Sequence, residues 1–199
     1  MFSNEGVAVL FEGASGRAGM EGESIERPGY RVRLRGIRDA DVDAIMTWIN
    51  DPDVTKHFAA FDREVTRADE LRFVVAMRAS PSDCLFAIEH ALDGAMVGTV
   101  GLHQIYRPAQ NARLGIMLGG AGARGAGLGQ EALRLVIAYA FERLGLHKVW
   151  MVHYASNERM RHIAQKLGFH AEGCLRDEYF HRGAWHDMVR QGLLATEWT

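Results

Sequence analysis

Apolar and polar residues along this chain follow two different periods, and the changes of period divide it into strands and helices. Alternation at every second residue predicts strands, whereas apolar residues spaced three and four apart predict amphipathic helices. The predicted strands are 31–38, 84–90, 95–104, 111–118, 148–154, 170–175 and 185–194. The predicted helices lie between Asp41 and Asp51, from Thr66 to about Arg78, at about 129–144, and from Asn157 to Leu167.

Turn and capping residues lie at the expected boundaries of these elements. Asp51-Pro52 ends the first helix, because the residue before a proline disfavours helical backbone. Thr66 and Asp69 have the spacing of a capping box, and Gly145 ends the third helix. Asp93-Gly94 lies between two alternating runs, which predicts a β-hairpin. The element boundaries are therefore marked by residues as well as by the pattern.

The order β-α-α-β-β-β-α-β-α-β-β predicts an α/β (α+β) fold, with a mixed, largely antiparallel sheet and helices on both faces. A chain of 199 residues is the right length for one such domain. Residues 1–29 are rich in glycine and acidic residues and are interpreted as a loosely ordered lead-in. The domain itself is assigned to residues 30–199.

Composition excludes several classes of partner. A net charge of −2 argues against a nucleic-acid-binding protein, which usually carries a basic balance or stripe. No apolar run approaches the ~20 residues of a transmembrane helix, so no membrane partner is expected. Cys84 and Cys174 lie far apart without metal-site spacing, so no metal is expected and a reducing compartment is favoured. The predicted location is the cytoplasm.

The candidate chemistry begins with a glycine-rich run, Arg124-Gly125-Ala126-Gly127-Leu128-Gly129, between a predicted strand and a predicted helix. Backbone N–H groups at such a helix start bind phosphate groups. A nucleoside triphosphate loop needs Lys and then Ser or Thr after its last glycine, but Gln130 and Glu131 follow here. The dinucleotide fingerprint also fails, because the glycines are spaced G-x-G-x-G and the next strand does not end in an acidic residue.

The remaining pattern, Arg-x-x-Gly-x-Gly, resembles the GNAT superfamily of acyl-CoA-dependent N-acyltransferases. Asn157-Glu158-Arg159-Met160 followed by Lys166-Leu167-Gly168-Phe169 is similar to the second motif of that family. Trp48-Ile49-Asn50-Asp51-Pro52 and the tail from Glu172 to Leu194 resemble the RimJ/RimL-like branch, which includes spermidine and amino-sugar acetyltransferases. The resemblance extends over roughly residues 31–198 and implies a GNAT-like fold in which the fourth and fifth strands separate to admit acyl-CoA.

The resemblance also implies a set of cofactor-binding residues. The co-substrate would be acetyl-CoA, with its diphosphate held by Arg124, Gly125, Ala126, Gly127, Leu128 and Gly129. The backbone of Ile116, Met117 and Leu118 would pair with the pantetheine arm, and Asn157 would reach the same arm. The same residue types also fit plainer roles, since Arg124 could cover the loop at the surface and Asn157 could be a bare helix cap.

Two positions depart from the family pattern. Some members carry a Glu base where this chain has Arg113, and many carry a Tyr acid where it has Ala164. The acid–base role therefore falls elsewhere, either on water or on the candidates His103 and His153, although a lone inward-facing His is often a core residue. The acidic alternatives are Glu89, Asp177, Glu178 and Asp187. A backbone N–H near Met117 or Leu118 is the candidate for stabilising the oxyanion.

The predicted function is N-acetyltransfer from acetyl-CoA to a primary amine by direct attack in a ternary complex. The acceptor would be a small molecule or a protein N-terminus, and aromatic side chains would either line its site or cover the core: Trp48, Phe58, Phe61, Tyr106, Tyr179, Phe180 and Trp185. One alternative is a non-catalytic acyl-CoA-binding module, and another is a different nucleotide-binding protein that shares only the loop. A homodimer is an expectation, because dimers are common in the branch.

Overall fold

Within the part of the chain that the structure describes, nine strands form one sheet in the order β1-β2-β3-β4-β5-β6-β7-β9-β8. The computed structural model describes residues 10–12, 24–58, 63–119, 123 and 125–199, and only the backbone of 10–12. The strands are β1 (Leu10–Glu12), β2 (Ser24–Glu26), β3 (Val32–Gly36), β4 (Cys84–His90), β5 (Met96–Tyr106), β6 (Asn111–Leu118), β7 (Lys148–Tyr154), β8 (His170–His181) and β9 (Ala184–Leu194). Every neighbouring pair is antiparallel except β6 and β7, which are parallel. The predicted mixed, largely antiparallel sheet is confirmed.

Five α-helices cover the sheet within the described residues. They are α1 (Val42–Met46), α2 (Pro52–Thr55), α3 (Arg67–Ala79), α4 (Leu128–Ala138) and α5 (Glu158–Lys166). None of the helices in this part of the chain is long and apolar enough to cross a membrane. The predicted capping box is present at the start of α3, where the Thr66 hydroxyl accepts from the Asp69 N–H and the Asp69 carboxylate accepts in return.

The helices divide into two layers, one on each face of the sheet. Helices α4 and α5 pack on what we call the α4 face, whose core includes Leu34, Phe86, Leu102, Leu133 and Val149. Helices α1, α2 and α3 pack on the opposite α1 face, whose core includes Val42, Ile45, Val74, Leu85 and Ala87. Because side chains alternate along a strand, neighbouring residues of β4, β5 and β6 face different layers. The predicted helices on both faces are confirmed.

The sheet begins earlier than the sequence pattern indicates. Strand β2 pairs with β3, and Ile25 is fully buried in the core of the α4 face. Residues 10–12 and 24–26 were expected within the lead-in and instead form strands of the sheet. A three-residue strand with a single buried side chain is too short to show an alternating pattern. The rest of the predicted lead-in lies largely outside the described residues.

Three further boundaries differ from the prediction, each for a local reason. Asp51-Pro52 was predicted only to end the first helix, but Asp51 is also the N-cap of α2 and Pro52 lies in its first turn. The third predicted helix is α4 in the structure. Beyond Ala138 it continues as a wider turn, in which the Leu144 N–H donates to the Tyr139 carbonyl. Strand β8 extends to His181, because its last residues pair with β9 even though most of them are exposed and polar.

We expect Ile25→Ala to lower the free energy of unfolding by about 2–4 kcal/mol, because it leaves a cavity in the core beneath β2. Equilibrium denaturation in urea measures this change. Leu92→Ala is the matched control, since Leu92 is 90% exposed and its truncation should change stability by less than about 0.5 kcal/mol. An Ile25→Ala protein as stable as the wild type would show that β2 is not part of the cooperative fold.

Candidate active site

Strands β6 and β7 share a ladder for only three residue pairs. The pairs are Asn111 with Lys148, Ala112 with Val149 and Arg113 with Trp150. Beyond them, β6 stays paired with β5 up to Leu118, and β7 stays paired with β9 up to Tyr154. Each strand is thus held on its outer side while a gap opens between 114–118 and 151–154.

The backbone of β6 presents polar groups to this gap. The Gly119 N–H donates to the Val97 carbonyl at 2.8 Å, which fixes the phase of the antiparallel ladder with β5. Because bonding alternates along such a ladder, Met117 directs its N–H toward β5, and Ile116 and Leu118 direct theirs toward the gap. Of the two positions predicted to stabilise an oxyanion, Leu118 therefore has the suitable direction.

The glycine-rich run leads directly into α4. Gly125 has φ +95° and Gly127 has φ +83°, a region that side chains disfavour, and Gly127 is the N-cap of the helix. A Cβ on Gly129 would lie 3.0 Å from Leu118 Cδ1, so glycine lets the helix start pack against the end of β6. The first N–H groups of α4 have no helical partner and face outward at the end of the gap. Arg124, predicted at the head of this loop, lies outside the described residues.

His103 lies at the start of the gap, on the α1 face. Its side chain shares that face with Gly115 across the strand pair, and its Nε2 is 3.3 Å from the position of a Cβ on Gly115. Its Nδ1 lies 3.1 Å from the Asp83 carboxylate, and its side chain is 17% exposed. Nε2 has no hydrogen-bond partner among the described residues. The imidazole is thus oriented by a carboxylate, and its free nitrogen lies over the pair Gly101 and Gly115, level with the start of the gap.

Burial sets the protonation of this pair. Desolvation lowers the pKa of His103 below its usual value of 6.5, and the nearby Asp83 carboxylate offsets only part of this effect. Hydrogen bonds from Ser80 and from His103 keep the pKa of Asp83 below its usual value in spite of its own burial. At neutral pH the pair is therefore a neutral imidazole beside a carboxylate.

The other predicted histidine, His153, lies on the opposite side of the sheet. It faces the α4 layer in phase with Val149 and Met151, as the sequence pattern indicated. Its Nδ1 is 2.9 Å from the Tyr154 carbonyl and its Nε2 is 3.0 Å from Gln191 Oε1, and it is 6% exposed. Both ring nitrogens are occupied by the protein, which fits a structural histidine.

Tyr154 ends β7 on the far side of the gap from His103. Continuing the parallel register places Tyr154 level with Met117 and on the α1 face. Its hydroxyl is 3.2 Å from His181 Nδ1, and the two rings stack with centroids 6.2 Å apart. Burial raises the pKa of Tyr154 above its usual value of 10, so the phenol stays protonated.

A cleft of about 750 Å³ lies next to this tyrosine, between the α1–α2 segment and the tip of the β8–β9 hairpin. His181, which contacts Tyr154, is part of its wall. The lining residues are Ile49, Asn50, Pro52, Thr55, Arg63, Glu64, Phe180, His181 and Arg182. The cleft therefore opens close to the gap, on the same face as His103 and Tyr154.

The predicted aromatic lining is only partly present at this cleft. Phe180 lines it, whereas Trp48 packs under its neighbours as a core residue that is 6% exposed. The Trp48 ring occupies the space that a Cβ on Gly119 would need, at the open end of β6. Its indole N–H is buried without a hydrogen-bond partner in the described part of the chain. Tyr106 lies at the other end of the sheet, opposite Asn111, and Phe61 lies outside the described residues.

The acidic alternatives have other roles in the structure. Glu89 accepts from Arg33 and Arg35, which hold its pKa below the usual value despite its burial. It lies on β4, separated from the gap by β5 and β6. The Asp187 carboxylate accepts from the Asp177 backbone N–H at 2.9 Å within the β8–β9 hairpin. Neither Glu89 nor Asp187 is therefore positioned as a free base at the gap.

Asn157 begins α5 directly after β7. Its Oδ1 accepts from the Met160 N–H at 3.0 Å, so the plainer prediction of a helix cap is confirmed. The side-chain NH₂ group is not used by this cap. Its predicted contact with the pantetheine arm stays a prediction.

Sequence reasoning missed two residues of this site, Asp83 and His181. Each acts through a partner distant in the chain, His103 and Tyr154 respectively, and no local spacing signals either pair. Within the described residues, no group of three or more His, Cys, Asp or Glu side chains could hold a metal ion.

Comparison with known proteins assigns the family. A profile described as an acetyltransferase (GNAT) domain matches residues 31–170. Spermidine N(1)-acetyltransferase of Escherichia coli K12 is 29% identical over 168 residues, 82% of each chain. A Bacillus subtilis 168 protein named "Probable N-acetyltransferase YjcK" is 40% identical over 103 residues, 51% of this chain and 56% of that protein. This chain thus spans a little over half the length of YjcK.

A solved structure shares the fold. Spermidine N-acetyltransferase from Vibrio cholerae, in complex with CoA and spermine, superposes with a TM-score of 0.78 at 22% identity, over 84% of this chain and 97% of that one. The profile match covers most of the chain, and the resemblance seen in the sequence is confirmed. The chain therefore belongs to the GNAT family of acetyl-CoA-dependent N-acetyltransferases.

Proposed function

We propose that this protein acetylates a primary amine by direct attack on acetyl-CoA, with the thioester held in the gap between β6 and β7. The observation that carries the proposal is the end of the β6–β7 ladder at Arg113, next to the glycine-rich start of α4. The gap offers the N–H groups of Ile116 and Leu118 to an extended amide-containing arm. The helix start offers further N–H groups to a diphosphate.

His103 is the proposed general base. A primary amine has a pKa near 10 and must lose a proton before it attacks the thioester. His103 is neutral at pH 7 because burial lowers its pKa, and its free Nε2 lies at the start of the gap. Asp83 would stabilise the imidazolium that forms and hold the ring in place. We leave His153 out of the chemistry, because both its ring nitrogens are hydrogen-bonded.

Tyr154 is the proposed donor of the proton that the departing thiolate requires. It stands in for the family's helical tyrosine, whose position here is Ala164. Its phenol stays protonated because burial raises its pKa, and His181 can return a proton to it through their hydrogen bond. The zwitterionic tetrahedral species would then break its C–S bond as the sulfur takes this proton. The proton that remains on the amide nitrogen would pass to the tyrosinate, directly or through His181, so that the products are the neutral amide and the free thiol.

The proposed acceptor is a small amine that binds in the cleft beside Tyr154. A volume of about 750 Å³ lies within the range of small-molecule sites, roughly 300–1,000 Å³. Its wall carries the guanidinium groups of Arg63 and Arg182 as well as one carboxylate, that of Glu64, which is the group proposed to attract an ammonium group. Relatives named as spermidine acetyltransferases act on amines of this size. Location in the cytoplasm and a homodimer remain predictions.

The test of this function is calorimetric titration with acetyl-CoA together with release of free thiol across a panel of small amines. We expect binding and turnover of at least one amine. Binding without turnover on the panel would favour the non-catalytic acyl-CoA-binding module. The observation that supports this alternative is that Arg113 and Ala164 occupy the two positions where family members carry acid–base residues. Absence of acetyl-CoA binding would refute the proposal.

We expect His103→Gln to lower kcat by roughly a hundredfold or more, because glutamine keeps a hydrogen bond to Asp83 but cannot accept a proton. Thiol release measures kcat, and the Kd for acetyl-CoA, measured by calorimetry, should not change. His170→Gln is the matched control, since its side chain is 73% exposed and distant from the gap. A His103→Gln protein with wild-type kcat would exclude His103 as the base.

We expect Asp83→Asn to lower the pKa of His103 further, because the carboxylate is the group that favours the imidazolium. In the wild type this histidine should titrate below pH 6.5, so the folded state loses stability as the pH falls below that value and the unfolded chain takes up the proton. NMR titration of the His103 ring gives both values. An unchanged pKa in Asp83→Asn, with Asp187→Asn as the control, would show that the pair is not coupled.

We expect Tyr154→Phe to lower kcat by about tenfold or more and to remove the alkaline limb of the kcat–pH profile. Phenylalanine preserves the stacking with His181 and loses only the hydroxyl. Tyr179→Phe is the control, because it removes a neighbouring phenol whose ring lies 6.4 Å from that of Tyr154. If both variants keep the wild-type profile, the proton donor lies elsewhere.

A further inference from the structure

Arg31 lies beside the glycine-rich loop although it is almost a hundred residues away in sequence. It immediately precedes β3, which packs beneath the first turns of α4. Its Nη2 is 3.1 Å from the position that a Cβ would take on Gly127, the N-cap of α4. A guanidinium group therefore stands at the edge of the proposed diphosphate site.

Glu131 fixes the position of this guanidinium. Its carboxylate accepts from Arg31 Nε at 2.9 Å, from Nη2 at 2.5 Å and from the Arg31 backbone N–H at 2.8 Å. Glu131 lies in the first turn of α4, so the contact joins the helix start to the sheet. Nη1 makes no hydrogen bond with the described residues, and the Arg31 side chain is 51% exposed. The group is thus held in place with one amino group free.

The charges of the pair have opposite consequences for a bound diphosphate. Glu131 interacts favourably with the helix dipole, but it would repel a diphosphate placed at the same helix start. Arg31 cancels that repulsion and adds N–H groups that suit phosphate oxygens. Without Arg31, the first turn of α4 would present an uncompensated carboxylate to an anionic ligand.

We propose that Arg31 is a binding residue for the diphosphate of coenzyme A, held against the loop by Glu131. This inference rests on the proposed function, since it assumes that the loop binds coenzyme A. It adds a cation supplied by a different strand to a site otherwise made of backbone N–H groups. Sequence spacing cannot show it, because the contact joins the first strand of the predicted domain to its third helix.

The test compares Arg31→Gln, Arg31→Lys and Glu131→Gln by calorimetric titration with two probes, coenzyme A and dephospho-coenzyme A. We expect Arg31→Gln to bind both probes about tenfold more weakly or worse, because it removes a charge-assisted contact and unmasks Glu131. Arg31→Lys should recover part of the affinity. Glu131→Gln should bind at least as tightly as the wild type, because it removes the charge that repels a diphosphate while its amide oxygen can still accept from the Arg31 guanidinium.

Arg33→Gln is the matched control. It removes the same charge from the same strand, but Arg33 contacts Glu89 on the other face of the sheet, so its affinity for both probes should equal that of the wild type. Thermal unfolding of every variant identifies any that is not folded at the titration temperature.

Each other outcome contradicts a different part of the argument. Equal loss in Arg31→Gln and Glu131→Gln would show that the pair only joins α4 to the sheet. Loss for coenzyme A but not for dephospho-coenzyme A would move the contact to the 3′-phosphate. Wild-type affinity in Arg31→Gln would overturn the proposal while leaving the proposed function intact, whereas failure of the wild type to bind coenzyme A would overturn the function itself.

Discussion

The separation of β6 from β7 is the constraint on which the rest of this structure depends. A parallel pair normally satisfies the backbone groups of both strands, but here the ladder ends after three residue pairs. The gap cannot be closed by a small shift, because β5 holds one strand and β9 holds the other along their outer edges. The N–H groups of Ile116 and Leu118 are thereby offered to a partner other than the chain itself. This edge is therefore favourable for an extended ligand with amide groups, which could form hydrogen bonds with it as an added strand does.

The gap lies between the α4 face and the α1 face of the sheet, and the two faces carry different chemical groups. The glycine-rich loop, α4 and the Arg31–Glu131 pair lie at the end of the gap toward the α4 face, where backbone and guanidinium N–H groups suit a diphosphate. His103, Tyr154 and the cleft lie on the α1 face. An arm that is anchored at the loop and passes through the gap would bring its far end to the acid–base groups. In the proposed function, the binding of the anionic end is therefore separated from the proton transfers.

Elements with a buried face and a marked boundary were predictable from the sequence. The Thr66 capping box, the Asp93-Gly94 hairpin and the strand–loop–helix around Gly127 each combine a local pattern with residues that punctuate it. Strand β2 and the end of β8 were not predictable, because one is three residues long and the other is mostly exposed, so neither shows an alternating pattern. The residues of the candidate site likewise fall into those that the sequence could predict and those that it could not. The loop has a local signature, whereas the pairing of His103 with Asp83 and of Arg31 with Glu131 depends on which strands and helices meet.

The two histidines proposed from sequence show how burial alone fails to identify a catalytic group. His103 on β5 and His153 on β7 are both shielded from solvent, but His153 has both nitrogens bonded to the chain and His103 has only one. Burial favours the neutral form of both proposed acid–base groups, since it lowers the pKa of His103 and raises that of Tyr154. Burial would also oppose the imidazolium that proton abstraction creates. The Asp83 carboxylate offsets part of this cost, because its negative charge stabilises the imidazolium. A neutral imidazole that already lies beside a carboxylate can accept a proton from an amine at neutral pH and then form an ion pair with that carboxylate.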